Sequence, residues 1–237
     1  MTAPLLIADL GRRAYGEVLA LQRDLCRRRL AGEITDDILL LVEHPPVITL
    51  GRGTRAASLP LPAESIRARG VEVYEVERGG DVTWHGPGQL VGYPIVDLKH
   101  HREDLHWYLR ELEGALIDAL AVLGVAAERN PRLTGVWTRG RKIASIGIHV
   151  KQWVTIHGFA LNVTSDLAGF GLIVPCGIQG VTMTSAAREL GGTTVGAAAD
   201  ALWRGASDAV VAAVARRLDR VPEPAGSTIV PAALEPA

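Results

Sequence analysis

The sequence predicts an α+β domain: a mixed or antiparallel sheet with helices packed on it. Three observations point there. Leu105, Leu109, Leu112, Leu116, Leu120 and Leu123 recur three or four apart, which is the stripe of an amphipathic helix. Val136-Trp-Thr138 and Lys142–Val150 flank Arg139-Gly140-Arg141, a hairpin with a short glycine turn. Elsewhere short apolar runs and helices follow one another without regular βαβ alternation.

In chain order, Ala14, Val18, Leu21 and Leu25 mark a helix over about 13–30, with Cys26 beside its stripe as a small helix residue. The run Asp37–Glu43 reads as a buried strand, stopped by His44-Pro45-Pro46 because proline cannot continue a ladder. Val47–Leu50 follows as a strand, then a short helix over 63–69. A strand through Val71, Val73 and Tyr74–Val76 runs into a glycine-rich stretch. Gln89–Leu98 is the next strand, where Pro94 suggests an edge or a bulge. Gly124 stops the leucine-striped helix. Val154–Val163 completes the sheet, Gly169–Ile178 is a loop, and a last helix runs from Thr194 to about Leu218. Residues 1–220 form one domain. Residues 221–237, with Pro222, Pro224, Pro231 and Pro236, are expected to be a disordered tail.

Composition bounds the function. The 237 residues suffice for a sizeable core, 48% hydrophobic and 22% charged content is ordinary for a globular protein, and the formal net charge of −1 gives no pull toward nucleic acid or an anionic membrane. Two cysteines make no disulfide framework. The N-terminus lacks a signal-peptide pattern, and no apolar run reaches the roughly 20 residues of a membrane span. A cytoplasmic location is expected.

Two stretches carry the chemistry. Arg78-Gly-Gly-Asp-Val-Thr-Trp-His-Gly-Pro-Gly-Gln89 is too glycine-rich for ordinary sheet and too apolar for a floppy linker; it reads as a pocket wall that a ligand can approach closely. Val174-Pro-Cys-Gly-Ile178 pins Cys176 between Pro175 and Gly177. Cys176 is either a buried structural thiol or a nucleophile, for which something must stabilise its thiolate. Lys142, heading the apolar strand Ile143–Ile148, is either a solvated lysine at a hairpin turn or that stabilising cation. Ser145 and Gly147 follow it. His100 and His101 sit in a polar connector and read as solvated. His85, His149 and His157 lack metal-ligand spacing, so no metal is expected. The glycines match neither a dinucleotide nor a phosphate-loop fingerprint. From Arg129 to Ser165 six cations (Arg129, Arg132, Arg139, Arg141, Lys142 and Lys151) meet no Asp or Glu, a surface on which an acidic protein partner could dock or simply a solvated hairpin.

Together Arg78–Pro94, Gly140–Gly147, His157-Gly-Phe-Ala-Leu-Asn162 and Pro175-Cys-Gly-Ile178 resemble the signature of the lipoyl(octanoyl) transferases, over roughly Leu5 to Leu190. The resemblance implies a fold like the catalytic domains of biotin protein ligase and lipoate ligase. It implies transfer of an octanoyl group from acyl carrier protein to a lysine on lipoyl domains of 2-oxoacid dehydrogenases and the glycine cleavage H protein. It implies Cys176 as carrier of the acyl thioester and Lys142 as the group that lowers its pKa. Arg78, Gly79, Gly80, Asp81, Val82, Thr83, Trp84 and His85, then Ser145, Ile146 and Gly147, then Gly158, Phe159 and Ala160, match the family's substrate-binding segments. No cofactor, metal, nucleic acid or membrane is implied. Trp84 stands where Tyr is frequent, and Phe159 where Leu is frequent.

Overall fold

The computed structural model describes residues 3–174, 180–193, 195–231 and 234. The resemblance-bearing Pro175–Ile178, including Cys176, lies outside them. An eight-stranded mixed sheet runs β11-β1-β2-β6-β10-β9-β8-β7, and a three-stranded sheet runs β4-β3-β5. The strands are β1 (Pro4–Arg12), β2 (Asp37–Glu43), β3 (Val47–Leu50), β4 (Glu72–Glu75), β5 (Val82–His85), β6 (Gln89–Ile95), β7 (Glu128–Arg129), β8 (Val136–Thr138), β9 (Arg141–Lys151), β10 (Val154–Asn162) and β11 (Val221–Pro224). The helices are α1 (Tyr15–Leu30), α2 (Ala63–Arg67), α3 (Leu105–Val122), α4 (Ala186–Glu189) and α5 (Ala197–Arg217). None of the helices searched is long and apolar enough to cross a membrane.

The near-continuous apolar run of β2 is explained by its place. Ile38, Leu40 and Val42 face α1, whereas Leu39 and Leu41 join α3 and α5, so both faces of the sheet are covered. On α1, Val18, Leu21, Gln22, Leu25 and Cys26 form the buried stripe. At the start of α3, Asp104 accepts a hydrogen bond from the Trp107 N–H at 3.0 Å, and the helix closes at Gly124, whose φ is 84°. Leu112, Leu116 and Leu120 are buried as the stripe requires, but Leu105 at its first turn is 41% exposed. Ile48, Ile66, Val82, Trp84 and Phe170 make a separate core under the small sheet.

The N-terminal segment, unassigned from the sequence, is a strand, β1, parallel to β2. Three expectations change. The glycine-rich stretch contains a real strand, β5, antiparallel to β3. The tail begins as β11, parallel to β1, and Ile229 and Val230 beyond it are buried. Its prolines are tolerated because they alternate with the donors: the N–H groups of Val221 and Ala225 reach the carbonyls of Ala3 and Ile7 on the one paired side of an edge strand. Pro94 lies in a central strand, not an edge. Its missing N–H falls where β6 and β10 part, since their ladder ends at the Phe159–Gly92 pair.

Candidate active site

A narrow slot opens between the small sheet, α1 and the α1 face of the large sheet. Arg78, Gly80, Asp81, Val82, Thr83 and His85 form one wall. Lys142, Ser145, Ile146, Gly147, Gly158, Phe159 and Ala160 form the other. The three sequence motifs thus meet around one space. Gly79 and Trp84 do not line it. Trp84 turns into the small-sheet core, tilted against Phe170 at 5.4 Å between ring centres. Phe159 borders the slot, yet its ring packs over Gly92 in the α3–α5 core.

The walls are held at backbone level. The Arg78 guanidinium is buried and donates to the Thr49 carbonyl at 2.8 Å and the Thr49 hydroxyl at 2.9 Å. The Gly79 N–H donates to the Ile148 carbonyl at 2.8 Å, tying this loop to β9. Two glycines are required by close approach. A Cβ on Gly158 would lie 2.2 Å from the Gly92 carbonyl oxygen, and one on Gly147 would lie 2.9 Å from the Gly79 carbonyl oxygen. Asp81 accepts from the Ser58 hydroxyl at 2.7 Å, and the Ser58 carbonyl accepts from the Val174 N–H at 2.9 Å.

Polar side chains buried beside the slot pair with one another. His44 Nδ1 faces the Arg13 carbonyl at 2.8 Å, so it carries the proton there, and its Nε2 accepts from the Tyr93 hydroxyl at 2.8 Å. His85 Nδ1 donates to Gln89 Oε1 at 2.7 Å. Gln89 donates to Asn162, and Asn162 to the Thr184 carbonyl, each at 2.9 Å. The Thr184 N–H donates to the Lys142 carbonyl at 2.9 Å. One chain of hydrogen bonds therefore links the first motif to Lys142. Burial drives the imidazole of His85 down to about 3 and that of His44 down to about 4, so both rings are neutral at physiological pH. Burial likewise raises the Tyr15 and Tyr93 phenols well above their usual range.

Lys142 is buried, not solvated at a turn. Its ammonium lies 5.7 Å from the centre of the Trp137 ring, within cation–π range. Its stem crosses Gly135, where a Cβ would sit 2.7 Å from Lys142 Cε and where φ is 126°. The Gly135 N–H is fixed by the buried carboxylate of Glu113 at 3.0 Å. The Lys142 N–H donates to the Thr182 carbonyl at 2.8 Å.

Sequence reasoning missed Tyr15, Val91, Tyr93 and His157 as lining residues. His157 opens a recognised motif and so carried a signal; Tyr15, at the start of an ordinary helix, carried none. His101 is not solvated: its Nε2 lies 2.7 Å from buried Asp37. The basic stretch is also less bare than it reads. Glu189 pairs with Arg141 at 2.9 Å and Arg139 at 3.7 Å, and Glu113 pairs with Arg129 at 3.3 Å. Cys26 is a buried free thiol whose pKa burial raises, the opposite of what a nucleophile needs.

Residues 14–205 match the family described as the lipoyl protein ligase A/B catalytic domain. An octanoyltransferase of Nostoc sp. is 49% identical over 80% of this chain and 84% of its own. One of Geobacter sulfurreducens is 54% identical over 78% of this chain and 75% of its own. Among solved structures, a lipoate-protein ligase A bound with ATP superposes with a TM-score of 0.70 at 14% identity, covering 94% of this chain and 88% of that one, which bears out the expected fold. The match over most of the chain and the identity of about half settle the kinship: the chain belongs to the lipoyl protein ligase A/B catalytic-domain family, and within it to the octanoyltransferases.

Proposed function

We propose that the protein transfers an octanoyl group from acyl carrier protein to a lysine of a lipoyl domain, through an acyl thioester on Cys176. The observation that carries this reading is the slot itself: a narrow channel lined by the family's motifs, with a buried lysine at one wall. Such a channel suits a short unbranched acyl chain, and its glycine-built walls leave room for little else.

A thioester is already activated, so the transfer needs no ATP. The Cys176 thiolate attacks the thioester carbonyl, and the carrier's thiolate leaves, taking a proton from the Lys142 ammonium. The acyl group now rests on sulfur and Lys142 is neutral. The acceptor amine attacks, Cys176 leaves as thiolate, and Lys142 takes the proton released as the amide forms. Protons and electrons balance over the two steps, and ping-pong kinetics follow. Support comes from the chain on either side of Cys176. Val174 is bonded to Ser58, beside Asp81 of one wall, and Thr182 is bonded to the Lys142 N–H beside the other. Asp81 on the facing wall accepts from the Ser58 hydroxyl and the Val82 N–H.

Arg139, 75% exposed at the hairpin tip, is a docking point for an acidic carrier protein. A reducing cytoplasm suits a thiol nucleophile. The test is transfer from octanoyl carrier protein to a lipoyl domain with ATP omitted. The reading predicts an octanoylated acceptor. A strict ATP requirement with free octanoate as donor would instead make the chain a ligase.

A further inference from the structure

The inner end of the slot holds a residue that octanoyl transfer does not explain. His157 is 2% exposed, and its backbone φ is 60°, a left-handed conformation in mid-strand. Its N–H donates to Gln22 Oε1 on α1 at 2.8 Å. Its ring Nε2 has no hydrogen-bond partner and lies 3.7 Å from the Glu77 carboxylate, which is itself held by Arg23 at 2.8 Å. Burial lowers the imidazole to about 4, against the opposing pull of Glu77, so the ring is neutral.

The position matters as much as the chemistry. His157 pairs with Ile148, six residues along β9 from Lys142, about 20 Å away at strand spacing. An extended eight-carbon chain that starts beside Lys142 covers about 10 Å of this, and the imidazole reaches back into the rest. Behind the ring is a second cavity, a cleft lined by Arg23, Cys26, Leu30, Glu77, His149 and Ile156. Ile156 faces the cleft and its neighbour His157 faces the slot. The imidazole is thus the partition between the acyl slot and a partly apolar space beyond it.

We propose that His157 is the end wall of the acyl slot and sets the chain length the enzyme accepts. The proposal rests on the acyl-transfer reading of the slot. A longer chain would have to displace a ring whose backbone is fixed by Gln22 and whose far side meets the Glu77–Arg23 pair, and would bring methylenes against an unpaired nitrogen. An eight-carbon chain stops short of it.

The test uses two variants chosen to keep the left-handed backbone, His157→Asn and His157→Gly, because asparagine and glycine tolerate positive φ. Binding of octanoate, decanoate and dodecanoate to the full chain is measured by titration calorimetry, with thermal unfolding as the folding control. This readout needs no turnover. The wild-type protein should favour octanoate over dodecanoate, and both variants should shift that affinity ratio toward dodecanoate by about tenfold or more, the discrimination one or two methylenes produce in an apolar pocket. An unchanged ratio in folded variants, or no binding of any of the three acids to the wild-type protein, overturns the proposal. Octanoate binding with the predicted shift but no transfer activity would instead sink the transferase reading and leave the end wall standing.

Discussion

Asp37→Asn should cost more stability than any surface change in this protein. Asp37 begins β2 and is 1% exposed. Its carboxylate meets Arg29 of α1 at 2.8 Å, His101 at 2.7 Å and Arg220, between α5 and β11, at 2.9 Å. One side chain therefore ties the first helix to the last strand. The asparagine keeps the size but leaves the buried Arg29 without its counter-charge. Removing one partner of a buried pair costs about 3–5 kcal/mol. At about 2–4 °C per kcal/mol for a chain of this length, the melting temperature should fall by about 6–20 °C. The effect should depend on pH. Burial raises the Asp37 pKa, but the hydrogen bond from His101 and the charges of His101, Arg29 and Arg220 outweigh it and hold it below the usual carboxylate value. A depressed folded pKa stabilises above the unfolded value of about 3.9 and is lost as pH falls through the folded one. The gap between wild type and variant should be full at pH 7 and shrink in acid. Calorimetric melting across pH is the assay. A drop of under about 1 °C at pH 7, or a gap that widens in acid, would refute the argument.

Three further outcomes follow from the site. Gly135→Ala should lower stability by more than about 1 kcal/mol, since at φ 126° its Cβ would lie 2.6 Å from the Ala144 carbonyl oxygen, and should slow acyl transfer sharply in the folded protein, since the Cβ would also lie 2.7 Å from Lys142 Cε; unchanged single-turnover rates in the folded variant would show that the stem is free to move aside. Lys142→Arg keeps a cation but cannot release a proton near neutral pH, so transfer should fall by about 10²–10⁴-fold, while the Cys176 thiol, followed by the pH dependence of alkylation, keeps part of its activation. A fully active arginine variant would leave Lys142 an electrostatic role only. Arg139→Glu should weaken carrier-dependent rates most at low salt and spare turnover of a small octanoyl thioester; equal loss with both donors would move the docking surface elsewhere.

Much of the framework was legible because apolar runs and helical stripes are local signals. The run Asp37–Glu43, the leucine stripe and the hairpin around Gly140 all form where their spacing puts them. What stayed hidden depends on partners far along the chain. β11 carries two prolines that argue against a strand, and only its one-sided pairing with β1 makes them harmless. His101 and Glu113 look like solvent-facing polar residues until Asp37 and Gly135 are brought to them. The slot shows the same division. Its glycine-built walls were visible as motifs, since glycine records close approach directly. Tyr15, which lines it, is an ordinary aromatic at the head of a helix in sequence and becomes a site residue only when α1 lies across the sheet.

The central claim is that Cys176 carries the acyl group. The direct measurement is intact-mass and peptide-mass analysis after incubation with octanoyl carrier protein, with no ATP and no acceptor. The account predicts that the wild-type chain and Cys26→Ser each gain the mass of one octanoyl group, on the peptide that holds Cys176, and that adding a lipoyl domain discharges it. Cys176→Ser should gain none. An octanoylated Cys26, or transfer that persists in a folded Cys176→Ser variant, would contradict it.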